Sequence, residues 1–223
     1  MTGETSAQDY GLEAGLEGLN LHFSAAQYEK LLAYLALLAK WNKVYNLTAV
    51  RDPAQMVTHH LLDSLAAVSA FSGAANVLDV GAGGGLPGIV LAIWAAEAQP
   101  SMKISMIDTV HKKTAFLTQV KAELQLSNVT VYTARVEQFQ LRQLPKQQPF
   151  DVITSRAFAE LHDFINWSQH LLAIGGRYIA MKGLQPNEEI KRLPEGWCVK
   201  EIRALEVPQL HAERHLIFIE RAP

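Results

Sequence analysis

Residues 78–88 read Leu78-Asp79-Val80-Gly81-Ala82-Gly83-Gly84-Gly85-Leu86-Pro87-Gly88, which places four glycines in five positions directly behind a short apolar run. A chain that leaves a buried strand, turns this tightly and resumes as a helix brings backbone N–H groups to the edge of a sheet. Read from Gly83, Gly85 and Gly88, the turn satisfies the dinucleotide pattern G-x-G-x-x-G. Read as Asp79-Val80-Gly81-x-Gly83-x-Gly85, it is the pattern of nucleoside-sulfonium binding. Asp108 lies 27 residues after Gly81, at the end of the next apolar run. An acidic group there accepts hydrogen bonds from both hydroxyls of an adenosine ribose, and it can also cap the following helix.

Around this turn, short apolar runs alternate with helical stretches. Strands are expected at Val77–Val80, Lys103–Asp108, Val129–Ala134, Asp151–Ser155 and Arg177–Met181, with helices near 87–98, 111–126 and 160–172. The alternation predicts an α/β fold with a mostly parallel sheet covered by helices on both faces. After Gly183 it stops, and the runs at Cys198–Val207 and His215–Glu220 pair as an antiparallel hairpin at one edge, for seven strands in all. Upstream, Ser24 and Gln27 form a capping box ahead of a helix over 25–42. Asp52 and Pro53 open a second helix carrying Met56, Val57, His60, Leu61, Ser64, Leu65 and Val68 on one face. Residues 1–22 are expected to be a flexible tail, 23–72 a helical extension and 73–223 the ligand-binding domain.

Charge and cysteine usage exclude several classes. Cys198 is the only cysteine, so neither an internal disulfide nor a multi-cysteine metal site is possible. It reads as a small buried hydrophobe. The net charge is −2, but residues 1–23 carry Glu4, Asp9, Glu13 and Glu17 and no Lys or Arg, so the remaining 200 residues sum to +2. The start has no basic segment ahead of an apolar core, and the longest apolar stretch, 86–96, is too short to span a bilayer. A cytoplasmic monomer is expected. His60 and Asp63, three apart on a helix, lack further ligands to complete a metal shell, so no metal is expected. Trp41, Trp94, Trp167 and Trp197 read as core or helix-face residues.

The fourth strand ends Thr154-Ser155-Arg156-Ala157-Phe158. It lacks the Asn/Asp-Pro-Pro-aromatic loop common among enzymes that methylate exocyclic amines. Cys198 is misplaced for attack on a pyrimidine carbon. Taken with Asn46-Leu47-Thr48-Ala49, His60-Leu61-Leu62-Asp63-Ser64, the Leu86-Pro87-Gly88 step, Ser155-Arg156-Ala157 and Lys182-Gly183, the sequence resembles the bacterial small-subunit ribosomal RNA guanine-N7 methyltransferases, the glucose-inhibited division protein B family. The similarity runs from about residue 24 to 221. It implies a class I, Rossmann-like S-adenosylmethionine-dependent fold that methylates N7 of one guanine, guanine 527 in the 530 loop of 16S rRNA, within the small ribosomal subunit. Gly81, Gly83, Leu86, Asp108, Val136, Glu137 and Arg156 would contact the cofactor. The turn is richer in glycine than in many members, and Gly84 is read as added flexibility.

Guanine N7 carries an in-plane lone pair, so the implied reaction needs no general base, and no catalytic acid or base is expected. Lys112, Lys113, Lys121, Arg135, Arg156, Lys182 and Arg192 are candidates for an electropositive rim, with Arg156 and Lys182 singled out to hold phosphate or guanine O6. Two other readings remain at this point: a nicotinamide-dependent oxidoreductase using the alternative glycine register, and a nonenzymatic ribosome-binding protein on the same scaffold.

Overall fold

The computed structural model describes residues 9–144 and 147–223. In chain order the elements are α1 (Leu12–Gly18), α2 (Ala25–Tyr45), α3 (Pro53–Met56), a π-helical turn (Val57–Leu62), α4 (Asp63–Leu65), β1 (Asn76–Val80), α5 (Gly88–Ala98), β2 (Lys103–Asp108), α6 (His111–Glu123), β3 (Val129–Thr133), β4 (Phe150–Arg156), α7 (Leu161–Ser168), β5 (Leu172–Lys182), α8 (Asn187–Lys191), β6 (Trp197–Ala204) and β7 (His215–Arg221). Short 3-10 turns at Val136–Gln138 and Leu141–Gln143 follow β3.

The strands form one sheet in the order β3-β2-β1-β4-β5-β7-β6. The first five run parallel, and β7 pairs antiparallel with both β5 and β6. Strand order reverses between β1 and β4, so the connections leaving the carboxyl ends of these two strands run to opposite sides and leave a crevice, the usual ligand position in such sheets. Asp151 fixes the start of this pairing, because its Oδ2 accepts from the backbone N–H groups of Ala75 and Asn76 at 2.8 Å each.

The N-terminal helices cover the α5–α6 face of the sheet and share its core. Ser24 caps α2 with the reciprocal capping box expected from the sequence, and Asp52 and Pro53 start α3. Gln27 Nε2 donates to the carbonyls of Ile93 and Trp94 in the last turns of α5, at 2.8 and 3.2 Å. Tyr34, fully buried, donates its hydroxyl to the Gly84 carbonyl at 2.5 Å, so α2 grips the glycine turn directly. Gly84 has no positive φ; a Cβ there would lie 3.2 Å from Leu38. Its small size serves the close approach of α2 rather than the flexibility expected of it.

Order begins before Phe23. Residues 1–8 of the expected tail lie outside the described chain, but 12–18 form α1, with Leu12 completely buried and Leu16 nearly so. Two leucines in a seven-residue helix are too few to register as a helical period, which is why the sequence reads as a tail. Gly15 permits the contact, since a Cβ there would sit 2.5 Å from the Leu62 methyls. Cys198 is half-buried on the edge strand β6 rather than buried. Leu12→Ala is expected to destabilise the fold by about 2–5 kcal/mol, the usual range for truncating a buried leucine. The shift in urea midpoint at unchanged slope measures it, and a tail would show none.

Candidate functional site

The glycine turn closes over the end of β2. The N–H groups of Gly81 and Ala82 both donate to the Ile107 carbonyl, at 2.9 and 3.2 Å, and Gly85 N–H donates to Ala82 O at 2.7 Å. Gly81 has φ +67°, and a Cβ on it would meet the Phe158 ring at 2.3 Å, so conformation and space both require glycine. Gly83 also has positive φ, but its Cβ would meet only Gly81 O at 3.7 Å; the room beside it faces a cavity.

Two cavities meet at this turn. The larger, of about 440 Å³, is lined by Gly81, Ile107, Asp108, Val136, Glu137, Phe158 and Trp167, among others. The second, of about 240 Å³, lies over Gly81–Gly84 and Leu86 and is walled by Leu38, Leu47, Thr48 and Arg156. They share Gly81, Lys113 and Ala157 and so form one cleft at the carboxyl ends of β1, β2 and β4. Asp108 Oδ2 accepts from Gly83 N–H at 3.0 Å and Oδ1 from Val110 N–H at 2.8 Å. The N-cap position of α6 falls on Val110, not on Asp108. A carboxylate offers about four acceptor positions, so Asp108 keeps capacity for ribose hydroxyls.

The residues expected at the site thus divide. Gly81, Asp108, Val136 and Glu137 line the larger cavity, while Gly83, Leu86 and Arg156 line the smaller one. Arg156 is turned toward the helical layer. Its Nη1 donates to the His59 carbonyl and to Asp63 Oδ2, both at 2.8 Å, and its Nη2 to His60 Nδ1 at 3.3 Å. Asp63 Oδ1 accepts from Arg214 Nε at 2.6 Å. His60 and Asp63 are therefore joined to Arg156, and Asp63 also to Arg214, both distant in sequence. Several rim candidates are likewise engaged: Lys182 with Glu189 at 2.8 Å, Arg135 with Glu137 at 3.2 Å and Arg192 with Glu160 at 2.9 Å. Lys113 sits at the junction of the two cavities, 3.8 Å from Asp108.

Sequence reasoning missed Phe158 and Trp167, the aromatic wall of the larger cavity. Their rings meet edge-on at 5.8 Å. Trp167 is 38% exposed on a helix whose apolar residues Leu161, Phe164 and Ile165 are buried, and its place off the face those three share is the sequence signal that could have marked it. It also missed the π-helical turn. The wider turn carries His60 and Asp63 to the end of β4, and such insertions recur at functional sites.

A sheet of this order, with its glycine turn after β1 and its acid at the end of β2 opening on one cleft, defines a class I S-adenosylmethionine-dependent methyltransferase. Solved structures share that fold: the S-adenosylhomocysteine complex of a methyltransferase from Thiobacillus denitrificans matches at 12% identity and TM-score 0.53 over 83% of this chain and 97% of that one. TrmN from Thermus thermophilus matches at 18% identity and TM-score 0.53 over 74% and 53%. The family described as GidB, rRNA small subunit methyltransferase G, matches residues 27–217, and the chain belongs to this family. It is 74% identical to the ribosomal RNA small subunit methyltransferase G of Janthinobacterium sp. (strain Marseille), over 94% of this chain and 93% of the relative. It is 70% identical to the protein of that name from Herminiimonas arsenicoxydans, over 94% of each. The nicotinamide reading of the glycine turn falls with this assignment.

Two buried titratable groups flank the cleft with opposite shifts. Burial pushes the Asp79 carboxyl up to about 7, against the lowering effect of its bond from Gly88 N–H. Burial, and then the charge of Arg156, push His60 down to about 4. Between pH 4 and 6.5 the folded chain holds a proton on Asp79 and the unfolded chain holds one on His60, so the two contributions to pH dependence cancel. Asp79→Asn should unmask His60, with stability falling as pH drops from 6.5 to 4. His60→Gln should unmask Asp79, with stability falling as pH rises from 4 to 7. Each slope approaches about 1.4 kcal/mol per pH unit, read by urea unfolding across pH.

Proposed function

We propose that S-adenosylmethionine occupies the cleft, with its adenosine in the larger cavity and its methionine end over the glycine turn, and that the acceptor is N7 of a single guanine, guanine 527 in the 530 loop of 16S rRNA. The residues fit the group. A volume of about 440 Å³ lies within the roughly 300–1,000 Å³ typical of small-ligand sites. Asp108 faces the ribose position, Val136, Phe158 and Trp167 give an apolar slot for a purine, and the open space beside Gly83 admits a ligand against the backbone. Bound there, the group supplies a methyl activated by its sulfonium.

The observation that carries the reading is the composition of the smaller cavity. Its walls are Leu38, Leu47, Thr48, the glycine turn, Leu86, Lys113, Arg156 and Ala157, with no carboxylate or imidazole among them. Such a cavity is poorly equipped to remove a proton and well suited to an acceptor that needs none removed. Guanine N7 is that acceptor. The protein's contribution is then alignment, and well-oriented reactants can lower a barrier by roughly 7–11 kcal/mol. The rigid mounting of the turn, held by Tyr34 and by the β2 end, suits that task. The substrate is taken to be the rRNA of the small subunit, acted on by a monomer; no described helix is long and apolar enough to cross a membrane.

Transfer of labelled methyl to small subunits from a strain lacking this protein, followed by chain cleavage at N7-methylguanine, tests the reaction. One stoichiometric mark in the 530 loop is expected, and no mark on subunits or free rRNA would defeat the substrate assignment. Asp108→Ala should weaken S-adenosylhomocysteine binding by about 10-fold or more in calorimetric titration, because charge-assisted hydrogen bonds contribute about 1.5–3 kcal/mol.

A further inference from the structure

Arg156, His60 and Thr48 are joined by hydrogen bonds whose direction is fixed at one end. A guanidinium only donates, so the 3.3 Å contact from Arg156 Nη2 makes His60 Nδ1 the acceptor. The proton of the neutral ring then sits on Nε2, which donates to Thr48 Oγ1 at 2.7 Å. Val50 N–H donates to the same oxygen at 3.2 Å. With both lone pairs of that hydroxyl accepting, its own hydrogen is what remains, and among the described residues no acceptor takes it. Thr48 lines the smaller cavity together with the glycine turn.

Guanine presents two acceptors on this edge, N7 and O6, whereas adenine presents N7 and an amino donor. If N7 receives the methyl, its lone pair has to stay unengaged, so O6 alone can identify the base on this edge. Arg156 was the sequence candidate for O6, but its terminal nitrogens are directed at His59, His60 and Asp63. We infer that the Thr48 hydroxyl donates to O6 of the target guanine and selects it over adenine, its donor direction set by Arg156 through His60. This inference rests on the N7 reading proposed above. Thr48 is then a specificity-determining residue and His60 a positioning residue.

The test uses the full-length protein saturated with S-adenosylhomocysteine, so that binding is read without turnover. Its ligands are unmethylated small subunits reconstituted with either guanine or adenine at the target position. The wild type should hold the guanine subunits about 10-fold tighter, one hydrogen bond with rejection of the adenine amino group. Thr48→Val should erase that preference by weakening guanine binding alone, and Thr48→Ser should keep it. S-adenosylhomocysteine affinity should stay at the wild-type value in both variants, while Thr48→Val lowers the melting temperature, because His60 Nε2–H and Val50 N–H lose their acceptor, and Thr48→Ser does not. A preference that survives Thr48→Val overturns the inference. So does a parallel loss for both bases, which is what a merely structural role through His60 would give, and so does a loss of S-adenosylhomocysteine affinity. Failure of the N7 reading shows separately, as wild-type protein that leaves no N7 mark on guanine subunits when S-adenosylmethionine is supplied.

Discussion

Asp63 is 2% exposed and stands between two arginines, Arg156 at 2.8 Å and Arg214 at 2.6 Å. A carboxylate so far from water persists only when paired and hydrogen-bonded. Here the pairing joins three distant parts of the chain: the helical layer, the end of β4, and the segment entering β7. Removal of Asp63 leaves two uncompensated guanidiniums, a loss of about 3–5 kcal/mol in comparable buried pairs, whereas removal of either arginine leaves a neutral pair. The helical extension is thereby coupled to the catalytic sheet by electrostatics as well as by shared core. Tyr34 on the Gly84 carbonyl and Gln27 on the end of α5 work in the same direction. A cleft whose floor is the glycine turn thus has a second wall, supplied by helices that precede the sheet in sequence.

That coupling also explains what could be read from the sequence. Local signals were legible: Ser24 with Gln27, Asp52 with Pro53, the glycines after β1, Asp108 at the end of β2, and the hairpin that becomes β6 and β7. Each is a short-range pattern with a short-range physical cause. The ion-pair network was not, because its members lie 93 and 151 residues apart and nothing in a single sequence pairs them. The pairing of the rim cations was not legible for a different reason: Arg135–Glu137 and Lys182–Glu189 are only two and seven residues apart, but charges that close in a sequence meet only when the local backbone turns them together. Lys182, Arg135 and Arg192 look free in a sequence and are held by Glu189, Glu137 and Glu160 in the fold. The last two pairs are exposed and contribute little to stability, yet they change what those side chains offer a polyanion.

The π-helical turn is the other illegible feature. An α-helical reading of Met56 to Val68 finds the correct buried residues, since Met56, Val57, His60, Leu61, Ser64, Leu65 and Val68 are all buried. It does not reveal that the ladder widens at Val57–Leu62. Periodicity reports which side of a helix meets the core, whereas the insertion alters where along that side each residue points. The functional consequence sits in this difference, because it governs whether His60 and Asp63 reach Arg156 together.

The neutrality of His60 follows from the same arrangement and bears on the reaction. A protonated ring would present N–H to Arg156 at Nδ1, turning an attraction into a clash of donors beside a like charge. It would also add positive charge near the acceptor base. In the proposed transfer, positive charge passes from the sulfonium to the purine as the methyl moves, so an additional cation near the purine would oppose the step. Asp63, shared with Arg214, offsets part of the charge of Arg156, and a neutral His60 transmits the donor direction of that arginine to Thr48 without adding charge of its own. A side chain with one acceptor, one donor and no charge at neutral pH is what that position requires, and burial together with Arg156 keeps this histidine in that form.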